Sequence, residues 1–358
     1  MEFMDWVKGP LVGRGSFGTV NLVIPSSFST EFSPTMVVKS SAVSQSECLK
    51  AEKQALSNIG NCKEIVRFFG DGFCNEKDNK VYNLFFEYAE KGSLEDNLRN
   101  SGGKFKDCEV RRYTKGILKG LGHIHGNGYV HCDIKLSNIL LFDNGAVKIA
   151  DFGLATKIED KKRNQLKGTP LFMSPELVAG GEVRSSADIW ALGCAVVQMV
   201  SGKSVWEVSP ECDVGALMCR IGLGIESPRV PEDVGCQAKD FISKCFIKDP
   251  NMRWTARMLL DHPFVNGFDD GDDDCEVSVS PRDPFEFADM EFAESSSLDM
   301  FEFPDWEQAD ALSLDPFSGD SRFVSTRDGW SSACERLGEM ASDSIPDWSD
   351  SDGWIDVR

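Results

Sequence analysis

The chain has 358 residues, 41% of them apolar and 10% aromatic, enough for one large two-lobed unit or roughly two domains. Its net charge of −20 is unevenly spread: residues 269–358 hold 26 acidic and 5 basic side chains, net −21, leaving 32 acidic and 33 basic, net +1, for residues 1–268. Such an anionic tail argues against non-specific nucleic-acid binding by that segment, and the longest apolar run, Ile189 to Val197, is too short to cross a bilayer.

The N-terminus has no basic flank ahead of a long apolar stretch, so no secretory signal is expected, and Glu2 stands where myristoylation needs glycine. Twelve cysteines include no Cys-x-x-Cys pair, and the four histidines lack metal-finger spacing. Free thiols in a reducing compartment are expected.

The first 87 residues read as strands with one helix. "GPLVGRGSFGTVNLVIP" is two β-type runs around a glycine-rich turn, and "TMVVKS", "IVRFFGDGF" and "KVYNLFFEY" are further β-branched or aromatic runs. Between them "SQSECLKAEKQALSNIG" has a Ser start, good helix formers and a Gly stop. Beyond Gly92 the pattern is helical. Asp107 is read as the cap of a helix with Val110, Tyr113, Ile117, Leu121 and Ile124 on its apolar face. "SSADIWALGCAVVQMVSG", with a Ser cap and a Gly stop, is apolar nearly all round and reads as a buried central helix. "GCQAKDFISKCFIKDP" and "WTARMLLDHPF" complete this part near Val265. From Asp269 the chain turns acidic, Ser-rich and dotted with Phe, a composition that predicts disorder, with a short helix within "TRDGWSSACERLGEMAS".

Three stretches carry chemistry. In "GRGSFGTV", Gly13, Gly15 and Gly18 would let backbone amides approach phosphate oxygens, although a plain hairpin turn explains the pattern equally well. Lys39 ends an apolar strand and suits a point charge on phosphates, oriented by a carboxylate; Glu52 on the following helix is the expected partner, with Glu47 as its competitor. "VHCDIKLSNILL" sets Asp133, Lys135 and Asn138 close together, and Asp151 follows in "ADFG". Phosphoryl transfer needs a carboxylate at the attacking hydroxyl, oxygen ligands for Mg²⁺ and a cation on the moving phosphate. Asp133 suits the first role, Asn138 and Asp151 the second, and Lys135 the third.

In this order, these residues resemble the eukaryotic protein kinases over about 265 residues. The resemblance implies an α+β bilobal fold over residues 3–265: a β-rich N-lobe to about 88, a helical C-lobe from about 89, then the acidic tail at 269–358. It implies ATP with Mg²⁺ in the cleft. The contacts would come from Gly13, Arg14, Gly15, Ser16, Phe17, Gly18, Val20, Val37, Lys39, Glu52 and Leu140, with Glu87, Tyr88 and Ala89 as the hinge and Phe86 as gatekeeper. It further implies a Glu176–Arg253 pair, and Asp188 tying the buried helix to the catalytic loop. Lys135 two residues after Asp133 is the serine/threonine pattern, with Thr169 bridging the two.

"MDWVKG", "HCDIK", "GTPLFMSPE" and "GWIDVR" are similar to the compact MEKK-like mitogen-activated protein kinase kinase kinases of plants. That similarity implies a monomer of the cytoplasm and nucleus, phosphorylating Ser and Thr in the activation loops of mitogen-activated protein kinase kinases in stress or hormone signalling, with no membrane or nucleic-acid partner. Most family members have Arg where Cys132 stands, to bind an activation-loop phosphate; Cys cannot make that bidentate contact and reads as a small buried filler. Between Gly153 and Gly168 only Thr156 could accept phosphate.

In the tail, Phe301, Phe303 and Pro304 have the form of a docking site for mitogen-activated protein kinases, with Ser280-Pro281 as a phosphorylation site. The tail also opposes in charge a basic activation loop: Lys157, Lys161, Lys162, Arg163 and Lys167. The competing readings are a pseudokinase scaffold and an acidic transcriptional activation tail.

Overall fold

The computed structural model describes residues 6–15, 17–25, 35–76, 79–158, 167–206 and 214–266. Ser16, residues 159–166 of the activation loop and the whole tail, with Phe301, Phe303, Pro304, the Ser280-Pro281 site and the expected helix at 326–342, lie outside them.

The expected β-rich lobe is an antiparallel five-stranded sheet in the order β1-β2-β3-β5-β4. Its strands are β1 (Trp6–Gly15), β2 (Gly18–Pro25), β3 (Met36–Ala42), β4 (Phe68–Glu76) and β5 (Asn79–Glu87). β5 is hydrogen-bonded on both edges, and its residues 81–86 are buried, which explains an apolar run without alternation. Helix α1 (Glu47–Ile59) buries Leu49, Ala55, Leu56 and Ile59, and with them one charged residue, Glu52. Ser46 precedes it as expected, but its hydroxyl donates to the Val43 carbonyl at 2.8 Å instead of capping.

The second lobe is helical. It contains α2 (Leu94–Asn100), α3 (Asp107–Gly126), α4 (Pro175–Val178), α5 (Ser185–Ser201), α6 (Val214–Gly222), α7 (Cys236–Cys245), α8 (Ala256–Leu260) and α9 (Pro263–Asn266). Two small antiparallel pairs carry the catalytic stretch: β6 (Tyr129–Val130) with β9 (Thr156–Lys157), and β7 (Ile139–Leu141) with β8 (Val147–Ile149). The five apolar positions read in α3 are all buried, and α5 is buried on nearly every side. Gly202 ends α5 with φ 69°, where an added Cβ would meet the Gly103 carbonyl oxygen, so glycine is needed for both conformation and contact.

Two caps differ from expectation. Asp107 is the first residue of α3, not its cap: its carboxylate holds Arg111 at 2.6 Å, while Glu109 accepts the Lys106 N–H at 3.0 Å. The residue before α5 is Arg184, with Ser185 already helical, and no side chain caps that end. Among the described cysteines, Cys48, Cys62, Cys74, Cys132, Cys194, Cys219, Cys236 and Cys245 are free thiols.

The expected Glu176–Arg253 pair is present, with Arg253 buried and Glu176 largely enclosed. Two guanidinium nitrogens reach the two carboxylate oxygens at 2.6 and 3.0 Å, while Arg253 also donates to the Ser186 and Ile247 carbonyls and stacks on Trp190. Removing one partner of a buried pair leaves the other charge uncompensated, at about 3–5 kcal/mol. Arg253→Ala is therefore expected to lower the urea midpoint by the equivalent of about 3–5 kcal/mol. A loss near that of an exposed pair, about 0–1 kcal/mol, would show that the pair is not a structural anchor.

Candidate active site

β3 carries Lys39 out of the sheet centre, between Val37 and the end of the strand, with its side chain toward α1. Its ammonium lies 2.8 Å from Glu52 Oε2 and 2.9 Å from Asp151 Oδ1. Glu47 is exposed at the start of α1, so the geometry selects Glu52 from the two carboxylates. The other oxygen of Glu52 accepts the Phe152 N–H at 3.1 Å. Burial opposes the Lys39 charge, but Asp151 and Glu52 outweigh it and hold the ammonium far above the ordinary lysine range. Burial would also raise Asp151, yet Lys39 keeps that carboxyl below its usual value. For Glu52 burial is the largest influence and pushes the carboxyl up against the pull of Lys39.

The catalytic stretch runs from β6 to β7. His131 is fully buried and acts as a beam: its Nδ1 accepts the Asp133 N–H at 3.3 Å, which places the ring proton on Nε2, donating to the Ala150 carbonyl at 3.0 Å. Asp188 of α5 holds the loop from below. Its carboxylate accepts the His131 and Cys132 N–H groups at 2.8 and 2.9 Å and His125 Nε2 at 2.8 Å. Burial would raise the Asp188 pKa, but His125 and His131 lower it below the normal carboxylate range. Held this way, Cys132 takes φ 70°, in the left-handed region.

Asp133 sits at the centre of a closed ring. Oδ1 accepts the Thr169 hydroxyl at 2.7 Å and its N–H at 3.1 Å; Oδ2 accepts Asn138 Nδ2 at 2.9 Å and lies 3.1 Å from Lys135 Nζ. Lys135 donates to the Thr169 hydroxyl at 2.8 Å, so Thr169 bridges the two. Gly168, with φ 117°, brings Thr169 there: a Cβ at this position would stand 2.5 Å from the Cys132 carbonyl oxygen.

The glycine hairpin closes over this group. Gly13 pairs with Val20, Arg14 with Thr19 and Gly15 with Gly18 across β1 and β2, and Val20 lies opposite Lys39 on β3. Phe17 turns inward against Gly153, with Lys39 5.8 Å from its ring centre. Val37 pairs with the buried Phe86, and Leu140 lies in β7. At the hinge, the Glu87 and Tyr88 N–H groups donate to Arg67 and Thr35, whereas the Ala89 N–H has no backbone partner among the described residues. The Glu87 side chain faces elsewhere, held by Lys148 at 2.6 Å and the Arg67 N–H at 2.6 Å. Neither Lys148 nor the His131 beam was singled out from sequence: a lone Lys in a strand gives no signal, and the His is seen only as a neighbour of Asp133. Cys132 is half-buried, less enclosed than a core filler, while Thr156 is buried with its hydroxyl donating to the Leu154 carbonyl at 3.1 Å.

The arrangement has counterparts among known proteins. The protein kinase domain family model matches residues 6–265. The chain is 43% identical to mitogen-activated protein kinase kinase kinase 20 of Arabidopsis thaliana over 371 residues, 99% of this chain and 100% of that protein. It is 39% identical to kinase 17 of the same series over 73% of this chain and 70% of the relative, and 39% identical to kinase 18 over 73% and 78%. The chain belongs to the protein kinase family, as a serine/threonine kinase of the mitogen-activated protein kinase kinase kinase group.

The ion pair geometry separates two neighbouring carboxylates. Misplacing a reacting group by about an ångström can cost about 10²-fold. Glu52→Gln is expected to lower kcat/KM by about 10²-fold, and Glu47→Gln to leave it close to wild type. Equal losses in the two variants would show that the Lys39 pair does not organise the site.

Proposed function

We propose that this kinase transfers the γ-phosphoryl group of ATP to Ser and Thr in the activation loops of mitogen-activated protein kinase kinases. The observation that carries the reading is the ring joining Asp133, Lys135, Asn138 and Thr169, with the Lys39–Asp151 pair beside it. In this reading Asp133 positions the substrate hydroxyl and takes up its proton as the P–O bond forms. Lys135 faces the transferred group, and Lys39 the α- and β-phosphates. The Ala89 N–H, without a backbone partner among the described residues, is the adenine contact.

The donor set fits Mg²⁺. Asn138 spends its amide N–H groups on the Asp133 carbonyl and carboxylate at 2.8 and 2.9 Å, which leaves its oxygen as the donor. Asp151 supplies a carboxylate that is 29% exposed. Mg²⁺ takes one or two such oxygens together with phosphates and water, and when bound it would neutralise phosphate charge.

The same reading makes the enzyme independent of loop phosphorylation. Cys132 offers no cation to a phosphate, and the Thr156 hydroxyl is buried and hydrogen-bonded. Docking through Phe301, Phe303 and Pro304, action in stress or hormone signalling, and residence in cytoplasm and nucleus extend this proposal and rest on the sequence resemblance.

The test is phosphorylation of a panel of catalytically inactive mitogen-activated protein kinase kinases by purified protein, with sites located by mass spectrometry. Asp133→Asn is expected to lose about 10²–10⁴-fold in rate, and Thr169→Ala to lose most activity because the ring opens. Phosphorylation by Asp133→Asn at the wild-type rate, or modification confined to sites outside activation loops, would overturn the assignment. Thr156→Ala and phosphatase treatment are each expected to leave most activity; silencing by either would restore a phosphate switch.

A further inference from the structure

We propose that Lys148 is a positioning residue for the adenine ring of ATP, clamping the first hinge residue, Glu87, to the β7–β8 hairpin beneath the base. The inference deepens the ATP reading above and rests on it. Its starting point is a tightly held ion pair outside the catalytic ring. Lys148 Nζ lies 2.6 Å from each carboxylate oxygen of Glu87, and the two side chains are only 20% and 17% exposed. The same ammonium stands 4.5 Å from the centre of the buried Phe142 ring. Glu87 is held from its other side as well: Oε1 accepts the Arg67 N–H at 2.6 Å, and the Glu87 N–H donates to the Arg67 carbonyl at 3.1 Å. A charge-assisted pair shielded from water is stronger than one on an open surface.

The strand pairing gives this clamp its place in the site. Lys148 on β8 lies directly opposite Leu140 on β7. Ile139, Leu141, Val147 and Ile149 are buried, whereas Leu140 and Lys148 are half-buried, so by the two-residue period of a strand these two share the other face. Leu140 is the expected adenine contact from below, which makes Lys148 its neighbour on the same surface. Backbone bonds fix the hairpin to the far end of the hinge. The Leu141 N–H donates to the Gly92 carbonyl at 2.9 Å, Leu140 bridges Ser93, and the Gly92 N–H donates to the Ala89 carbonyl at 3.1 Å. Ile149 is fixed in turn by bonds of 2.9 Å with Glu64 and Val66. At the near end of the hinge a side chain makes the link, Lys148 to Glu87. The Ala89 N–H lies between these two ties, so together they set its place relative to Leu140.

Removing the ammonium leaves an enclosed carboxylate with the Arg67 N–H and no cation. An uncompensated enclosed charge turns toward water, and Glu87 would draw the start of the hinge away from β8. Ala89, two residues on, would shift relative to Leu140, and the base would lose its fit. The phosphates have their own anchor. Lys39 is bound by Glu52 and Asp151, and the carboxylate that holds Lys148 is a different one. The loss therefore falls on adenine in the ground state and the transition state alike, which raises KM and leaves kcat. A pair that only stabilised the fold would not separate base from phosphate.

The test uses the full chain and measures binding by calorimetry, with adenosine, inorganic tripolyphosphate and ATP with Mg²⁺ as separate probes. Lys148→Met is expected to weaken adenosine and ATP by about tenfold, between the effects of an exposed and a buried pair, with tripolyphosphate unchanged. Steady-state rates should show the same rise in KM for ATP, with kcat within about twofold of wild type. Lys148→Arg, which keeps the cation, should restore adenosine affinity. Glu87→Gln, which keeps the size of the side chain, should match Lys148→Met, and the double variant should be no worse than either, because each removes the same interaction. Adenosine binding involves no protein acceptor, so this readout stands or falls separately from the substrate assignment. Wild-type adenosine affinity in folded Lys148→Met or Glu87→Gln, an equal loss for tripolyphosphate, or losses that add in the double variant would overturn the proposal.

Discussion

One carboxylate, Glu52, holds the two lobes in register. It lies on the apolar face of α1, 2% exposed, where an ionised group is expensive unless every lone pair is met. One oxygen meets the Lys39 ammonium and the other the Phe152 N–H. Sheet, helix and the Asp151–Phe152–Gly153 segment therefore share a single buried group. If α1 swung away, Lys39 would keep only Asp151 and the Phe152 amide would lose its acceptor. Breaking a buried pair costs about 3–5 kcal/mol, a large part of the 5–15 kcal/mol that typically stabilises a domain. The position of α1 is thus set by electrostatics as well as by Leu49, Leu56 and Ile59.

A second buried anion does the same beneath the catalytic loop. Asp188 lies in α5, otherwise the most apolar helix of the C-lobe, and gathers three N–H donors from His125, His131 and Cys132. Those bonds hold Cys132 in a left-handed conformation that costs roughly 1–2 kcal/mol for a side chain with a Cβ. The turn aims Asp133 upward and exposes the Cys132 carbonyl to Gly168. Glycine at 168 lets the following Thr169 settle on Asp133 and Lys135. Anion, strained residue and close-packed glycine are three parts of one device for presenting a carboxylate.

Much of this was legible beforehand because the signals were long or chemically dense. The β1–β2 hairpin carried its glycine turn, α1 and α3 runs of helix formers with a glycine stop, α5 a long apolar stretch ended by Gly202, and Asp133, Lys135, Asn138 and Asp151 formed a cluster that no core needs. The rest was hidden for physical reasons. Glu47 and Glu52 sit five residues apart, and only the tertiary placement of Lys39 decides between them. Strands β6 to β9 have two or three residues each, too few for any period to show. Asp107 looked like a cap because Asp is a good one, but Arg111 a turn later is a stronger partner.

The replacement of Arg by Cys at position 132 becomes intelligible once the anchors of the activation segment are followed. At its start, Thr156 and Lys157 pair with Val130 and Tyr129, and the Ile158 N–H donates to the Gly128 carbonyl at 2.9 Å. At its end, Gly168 lies against Cys132, Thr169 is bound by Asp133 and Lys135, and Trp206 Nε1 donates to the Leu171 carbonyl at 2.9 Å. Both ends are thus pinned to the C-lobe by backbone pairing and neutral or lysine-mediated hydrogen bonds. A phosphate bridging an Arg at 132 would add a third anchor where two already fix Thr169 over the catalytic carboxylate. On the proposed reading, these two anchors do at the described ends of the segment what a phosphate bridge to position 132 would do.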